Sequence, residues 1–482
     1  MPLTLGSVPD SKEEVDHTAL TLLSKDDLIA LLLAQGVRIA ELERRLGLNS
    51  GNSGKPPSSD GPKKPPRVSS LRAPSGKKPG GQPGHPGKTL RCKAVPDAIL
   101  AHFPAACAGC GAALDAAMAV GHAARQVFDL PEPKPLQATE HRAHTCRCAA
   151  CGTRTRAAFP AGVTAPAQYG PRIAAFVLYL QTYQLLPEKR LAALLSDLFG
   201  VRLTTATIGQ IGRDCAERCQ AFALAVRDKV AGADVKHMDE TGFRFAGKTQ
   251  WLHVASTPML THYRTSPRRG SLMENVRGIV VHDHWKPYYL LEGVRHALCN
   301  AHHLRELKAL IEIEKEAWAV GMQRLLRRAC HAANLARATG RRVGAGLIAL
   351  IERRYDKVLA EGLAFHAAQP SLAKAGRRGR QPRRVGHNLL LRLSVRRQDV
   401  LRFLHDPDVP FTNNLAEQDG RMMKLRQKIS GGFRSEDGAK DFAVIRTLLS
   451  TARKQGWNML QALMDDPLRL IAELRMVRTS PG

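Results

Sequence analysis

Apolar and polar positions change period several times along this 482-residue chain, and each change marks an element. Leu28, Leu32, Ile39, Leu42 and Leu46 fall on alternating three- and four-residue steps, with Gln35 in the remaining place. That spacing predicts a helix over 26–48 with a short coiled-coil seam, d-like at 28, 35 and 42 and a-like at 32, 39 and 46. Self-association and packing on the chain's own surface both use such a stripe. Residues 170–228 read as all helix. Within them RLAALLSDLFGVRLTTATIGQIGRDC reads as helix, turn at Gly200, and helix capped by Thr204 or Thr205. This is the outline of a helix-turn-helix, and equally of a helical hairpin in a core. From 233 the texture switches to short strands: ADVKHMD, FRFAG, TQWLHVAST, LTHYRT and GIVVHD. Thr241 and Gly242 are expected to turn the chain after the first of these. A helix is expected to start within HALCNAHHLRELKAL, and 304–405 reads as nearly continuous helix broken by a basic loop at 374–388. FTNNLAEQDGRMMKL reads as a capped helix carrying Glu417, and AKDFAVIRTLLSTARKQG as an amphipathic one.

Charge narrows the partner. The chain holds 72 Lys and Arg against 43 Asp and Glu, a formal net charge of +29. Such a surplus suits a polyanion, because each neutralised phosphate releases counterions. Nucleic acid is the first candidate and an acidic membrane surface the second. Aromatic residues make up only 5%, which favours gripping a duplex over stacking on unpaired bases. Residues 51–100 are dense in Gly, Pro, Ser and Lys and lack the apolar surface to fold. Their cations, Lys63, Lys64, Lys77 and Lys78 among them, suit either a solvated linker or a basic arm lying along DNA. The start, MPLTLGSVPDSKEEVD, has no basic n-region or long apolar core. The run LIALLLA is too short to span a bilayer. The expectation is a cytoplasmic protein with no membrane partner.

Ten cysteines in such a chain suggest metal ligands or buried thiols. Cys107–Cys110 and Cys148–Cys151 form two CxxC knuckles, each followed by a glycine that permits a left-handed turn. Two such knuckles suit one structural tetrahedral Zn²⁺ site. His144 and Cys146 lie near enough to compete as ligands. Cys92, Cys215, Cys219 and Cys330 read as plain buried or half-buried thiols.

Asp239 and Asp283 each end an apolar run, and Glu417 lies just past Asn413–Asn414 at a helix start. Clustered carboxylates repel one another and make poor core filler. Converged, they suit hard cations such as Mg²⁺, which take oxygen ligands. A pair of such ions activates a water or a 3′-hydroxyl and stabilises the leaving oxygen of a phosphodiester. The plainer alternative for a strand-end Asp is a turn former.

At these residues the sequence resembles the IS66 family of insertion-sequence transposases, part of the DDE class with a ribonuclease-H-like core. The resemblance rests on NSGKPPSSDG, GGQPGHPGK, the paired knuckles, YLQTYQLLPEKR, MDET, VVHDHWKPY, CNAHHLREL, TNNLAEQ, QKISGGFRS and STARKQGWNML. It implies a catalytic triad of Asp239, Asp283 and Glu417 holding Mg²⁺ or Mn²⁺, with Glu240 outside the three. It implies a zinc ribbon on Cys107, Cys110, Cys148 and Cys151, and matches Cys299 and His302 to a supporting C-x2-H signature. It implies double-stranded DNA as partner, at element ends and target, with a homo-oligomeric synaptic complex and accessory proteins of the same element. Two departures stand out: His284–Trp285 replaces a more usual Gly–Tyr, and Gly420 lies one turn after Glu417.

The expected fold is α+β multidomain. It runs as an N-terminal helix or coiled coil (1–50), a basic linker (51–100), a zinc ribbon (101–160) and a helical helix-turn-helix-like region (161–232). A ribonuclease-H-like α/β domain (233–455) with a helical insertion at about 304–408 follows, then a C-terminal helical element (456–482). Further expected DNA contacts are Arg421, Lys424, Arg377, Arg378, Arg380, Arg383 and Arg384, with Lys286 a weaker one. The rival functions are a DNA-binding repressor on the same scaffold and a nuclease of the same core without strand transfer.

Overall fold

The computed structural model describes residues 24–53, 90–131, 136–245, 247–372 and 381–476. Lys63, Lys64, Lys77, Lys78, Arg377, Arg378 and Arg380, expected to meet DNA, lie outside these. The chain divides into two compact units. One comprises Ser70–Ala161 and Ala192–Leu203, and the other takes the rest.

In the smaller unit, β1 (Thr145–Arg147) and β2 (Arg154–Arg156) pair antiparallel around the second knuckle. The two knuckles close alike. Cys107 N–H donates to Ala112 O and Gly111 N–H to Cys107 O, each at 2.9 Å. Cys148 N–H donates to Thr153 O at 2.8 Å and Gly152 N–H to Cys148 O at 2.9 Å. Gly111 and Gly152 take φ values of 76° and 72°, the left-handed turn expected of them.

In the larger unit, α1 (Lys25–Gly47) forms where the stripe predicts it. Ser24 caps it, and Asp26–Asp27 and Arg44–Arg45 match its dipole at either end. Its seam residues Leu32, Ile39 and Leu46 stay 72%, 55% and 85% exposed. α2 (Pro171–Leu178) runs into a π-helical turn, Tyr179–Tyr183. Then α3 (Glu188–Phe199) ends at Gly200, whose φ is 65°, and α4 (Thr205–Gly232) begins behind a Thr204 cap. The helix–turn–helix order is as expected. The second helix, however, is 28 residues long and buries a stripe from Ile208 through Cys215, Cys219, Phe222 and Val226 to Val230. Those residues share one core with Met238, Ala255 and Val280 of the sheet, so this region is not a free-standing domain.

The sheet holds β3 (Val235–Phe245), β4 (Lys248–Ser256), β5 (Thr261–Ser266), β6 (Gly278–His282) and β7 (Val294–Leu298), in the order β5-β4-β3-β6-β7. The β3–β4 and β4–β5 pairs are antiparallel, and β3–β6 and β6–β7 are parallel. Two expectations fail. Thr241 and Gly242 do not turn the chain: β3 runs through them, with Gly242 opposite Trp251. A Cβ on Gly242 would lie 3.5 Å from that ring, so the small residue seats a tryptophan and does not bend the strand. Asp239 therefore sits inside a strand, not at its end. The second failure is HAL (296–298), which belongs to β7 and not to a helix; its half-exposed edge pattern hid a strand behind charges.

One face of the sheet carries α10 (Asn414–Ser430) over β3 and β4, together with an insertion packed on β6 and β7. The insertion is α5 (Asn300–Ala309), a π-helical turn (Leu310–Glu314), α6 (Ala317–Ala338), α7 (Ala345–Ala367), α8 (Val385–Val395) and α9 (Arg397–His405). The other face holds α2, α4, α11 (Glu436–Gln455), α12 (Met459–Met464) and α13 (Pro467–Ala472) in one core, so 456–482 is no separate element either. α11 also closes the β5 edge: Thr451 and Thr447 hydroxyls accept the Thr261 and Tyr263 N–H groups at 3.2 and 3.0 Å. Among the described residues no helix is long and apolar enough to cross a membrane.

Candidate active site

The sheet register builds the site. β6 enters beside β3 because Gly278 takes φ 73°; a Cβ there would stand 2.6 Å from the Asp234 carbonyl. The parallel ladder then pairs His237 with Val281, and Val281 with Ala297. Continued by two residues, it sets Asp239, Asp283 and Cys299 in one row across three neighbouring strand lines, about 4.8 Å apart. Adjacent strand residues point to opposite faces. Asp239 thus faces α10 with His237 and Thr241, while Glu240 faces the other layer with Met238.

α10 brings the third acid. Asn413, 1% exposed, precedes it and ties it down three ways. Its Nδ2 donates to Met238 O at 2.8 Å, its Oδ1 accepts from His237 Nδ1 at 2.9 Å, and its N–H donates to Cys299 Sγ at 3.1 Å. Glu417 follows in the first turn, where an acid complements the helix dipole. The Cys299 thiol points at Glu417 Oε1 from 3.7 Å. Further along, Gly420 lies over β3 and β4, where a Cβ would stand 3.6 Å from Val254 Cγ2 and 4.0 Å from Asp239 Oδ2. The glycine faces the site across the helix–sheet contact.

Electrostatics separates the two acids of MDET. Burial raises the Asp239 carboxyl well above the usual range, and the negative charges of Glu240, Asp283 and Glu417 raise it further. Glu240 is also raised by burial, but it has partners. Tyr288 OH donates to its Oε2 at 2.6 Å, and Arg269 pairs with its Oε1 at 2.6 Å. Arg269 itself lies over Trp251 and Trp285, 5.0 and 4.2 Å from their centroids. Asp283 accepts the Trp285 N–H at 2.9 Å, so Trp285 closes the turn after β6. Neighbouring His284 is held down to about 4 by burial and by Arg392, Arg396 and Lys286. The Cys299 thiol is pushed up to about 12 by burial and by Glu417. His302 is lowered by burial and by Arg305, and its Nδ1 is shut off from solvent with no hydrogen-bond partner among the described residues.

Among the described residues, the group of three ligand types whose atoms all lie within 4.8 Å of one another is Cys299, His302 and Glu417. The three acids converge less tightly than that, and so do the four knuckle sulfurs. Within the knuckles, N–H groups of Cys110 and Gly109 hold the Cys107 thiol below its ordinary range, and Thr153 does the same for Cys151.

The model of the family described as "Transposase IS66 family" matches residues 166–441. The chain belongs to the IS66 transposase family. A second model, described as a family of unknown function (DUF6444), matches residues 11–91. An uncharacterized protein of Sinorhizobium fredii, y4jO, is 38% identical over 77 residues, which are 16% of this chain and 24% of that protein. The chain thus spans about a quarter of the length of the curated relative it matches.

The IS66 match covers all three acids, Asn413 and the C-x2-H pair. Of the expected DNA contacts within it, Arg421 and Lys286 are exposed. Lys424 donates to the Gly242 carbonyl and so braces α10 on β3. Arg384 donates to Pro370 O at 2.8 Å, and Arg383 is half-buried. Two residues of this site went unnoticed in the sequence. Asn413 was read only as a cap, although TNN ahead of the acid is signal enough for a fixed helix start. Asp419 gave no signal, because its partners are far away in sequence. Its Oδ2 accepts from Ser256 Oγ at 2.6 Å and Thr261 Oγ1 at 3.0 Å, and pairs with Lys454 Nζ at 2.7 Å.

Proposed function

We propose that this IS66-family chain is a DDE transposase with a ribonuclease-H-like core. It binds the terminal inverted repeats of its element on double-stranded DNA, cuts one strand at each end and joins the freed 3′-hydroxyl to target DNA. The observation that carries the reading is the setting of Asp239: buried, facing a second strand-line Asp and a helical Glu, and raised by their charge with no cation beside it. Strand order supports it, three antiparallel strands continuing into two parallel ones with acids on the central pair.

The donor set is all oxygen, which fits Mg²⁺ or Mn²⁺. Asp239, Asp283 and Glu417 would hold the ions, which supply charge for the phosphodiester in flight and lower the pKa of an attacking water or hydroxyl. The chain's own part is placement. The β3–β6 register sets the two aspartates side by side, Asn413 fixes the height of Glu417, and the Glu240–Arg269–Tyr288 cluster locks β3 from behind. The knuckle thiols Cys107, Cys110, Cys148 and Cys151 fit a structural Zn²⁺ by ligand type and loop geometry. The exposed stripe of α1 suits self-association in a synaptic complex, and accessory proteins of the same element are further partners.

The test uses the purified chain, a labelled duplex carrying the repeat ends that flank its gene, a target plasmid and Mg²⁺. Joined products are expected. Asp239→Asn should lower cleavage and joining together by about 10³-fold or more, since several kcal/mol of charge stabilisation goes with the ions. Full activity in that variant would refute the triad. Cleavage without joining would leave a nuclease, and a shifted but intact duplex a repressor.

A further inference from the structure

On the same helix as Glu417 lies a second polar feature that the acid site does not use. α10 carries Arg426 nine residues after Glu417, about 13 Å along the axis. The Arg426 guanidinium sits over the Phe433 and Phe442 rings, 4.2 and 4.8 Å from their centroids. Its Nε is shut off from solvent and has no hydrogen-bond partner among the described residues. Burial pushes the group below its ordinary range. The nearest acid, Glu188, is taken by Arg434 at 3.4 Å. A half-buried cation without an ion pair is costly unless something outside the chain completes it.

What it borders is an open cleft of about 890 Å³. Three helices begin on its wall: α3 at Glu188, α4 at Thr205 and α11 at Asp437, all of eight residues or more. Helix starts present unsatisfied N–H groups and a positive dipole end, which favour anions. On α4, Gly209 and Gly212 face the cleft one turn apart, so the helix backbone lies bare there. A Cβ on Gly209 would meet nothing closer than Arg213 Nη1 at 3.5 Å, and one on Gly212 nothing closer than Gln181 Oε1 at 4.0 Å. The cleft also holds Asp437 and Asp441. Asp437 is paired to Lys440 at 3.4 Å, and Asp441 is raised by burial and by Asp437.

We infer that this cleft is a docking groove for a duplex DNA backbone, with Arg426 and the three helix starts receiving phosphates of the strand about four base steps from the one held at the acids. The spacing follows from about 13 Å along α10 and about 3.4 Å of rise per step. The planar guanidinium, held flat by two rings, is shaped for two phosphate oxygens at once. The bare glycine face lets a bulky sugar–phosphate chain approach the α4 backbone. This rests on the DNA-processing reading above and adds a site to it.

The experiment is fluorescence anisotropy of the full chain on a labelled duplex across a salt series, with thermal midpoints measured alongside. Arg426→Met keeps the bulk and removes the charge. It should weaken binding at least about threefold and flatten the log K against log salt slope by about 0.9, one phosphate's worth, without lowering the midpoint. Gly209→Glu puts a carboxylate on the cleft wall of a helix that tolerates it, and should also weaken binding with the midpoint kept or raised. Should Arg426→Met fail to fold, Gly209→Glu decides alone. Folded variants that keep wild-type affinity and slope would overturn the groove while leaving DNA binding in place. A wild-type chain with no salt-dependent duplex binding would overturn both readings. Displacement of the duplex by inorganic phosphate at matched ionic strength would mark a free-anion site and also overturn the groove.

Discussion

Glu417 and Asp419 lie two residues apart on α10, in opposite electrostatic settings. Asp419 accepts two hydroxyl hydrogen bonds and pairs with Lys454, whose side chain is 12% exposed. Each of its interactions joins α10 to β4, β5 or α11. Glu417 has a thiol at 3.7 Å and, across from it, two aspartates. The same contrast recurs on β3: Glu240 is met by Arg269 and Tyr288, and Asp239 by other acids. A buried carboxylate with protein cations is part of the scaffold. One whose neighbours are carboxylates is waiting for a cation the chain does not supply.

The comparison breaks most visibly at Asp419. Asp419→Ala leaves Lys454 buried and uncompensated, which should cost about 3–5 kcal/mol of stability. Urea unfolding should show this loss equally with and without Mg²⁺. A loss that Mg²⁺ repairs would place Asp419 among the metal acids and dissolve the distinction.

A smaller effect sharpens the other half. The folded-state pKa of Asp239 is raised, so the fold binds a proton here that the unfolded chain releases at about pH 3.9. The stability from this group is full below that pH and is lost as pH rises through the folded value. In chelator, wild type should therefore lose thermal midpoint relative to Asp239→Asn as pH rises from about 4. Subtracting the two curves cancels the other titrating groups. Adding Mg²⁺ at about a hundredfold over its Kd should restore about 2.7 kcal/mol to wild type and little to the variant. Parallel pH curves in chelator would mean that the acids do not repel.

Legibility in the sequence followed the same division. The acids Asp239, Asp283 and Glu417 could be picked out because each stands where an apolar run or a cap makes a charge conspicuous. Their relation could not, since the β3–β6 register joins residues 44 apart through a glycine, Gly278, that looks like any turn residue. Gly242 misled for a related reason: glycine after two acids reads as a turn, and only Trp251 across the ladder explains it. β7 was hidden because VRHAL lacks the β-branched run that marks its neighbour GIVVH. The helices were read more surely, since capping and periodicity are local, but what they pack on is not. α4 looks like a recognition helix until its stripe meets the sheet.

Gly420 offers the finest test of the divide, because it touches both halves. Glycine in a helix interior costs about 1 kcal/mol relative to alanine. Here it faces the sheet, and an added methyl would find Val254 at 3.6 Å and the Asp239 Oδ2 at 4.0 Å, both ordinary contacts. Gly420→Ala should therefore raise stability by up to about 1 kcal/mol in chelator, as the backbone gains and nothing has to move. It should also keep the Mg²⁺-dependent rise in midpoint, because a methyl at that distance leaves the carboxylate oxygens open. A more stable variant that no longer responds to Mg²⁺ would show that the space beside Asp239 belongs to the metal and its waters. The glycine would then be part of the site, and not a weak point of the helix that positions Glu417.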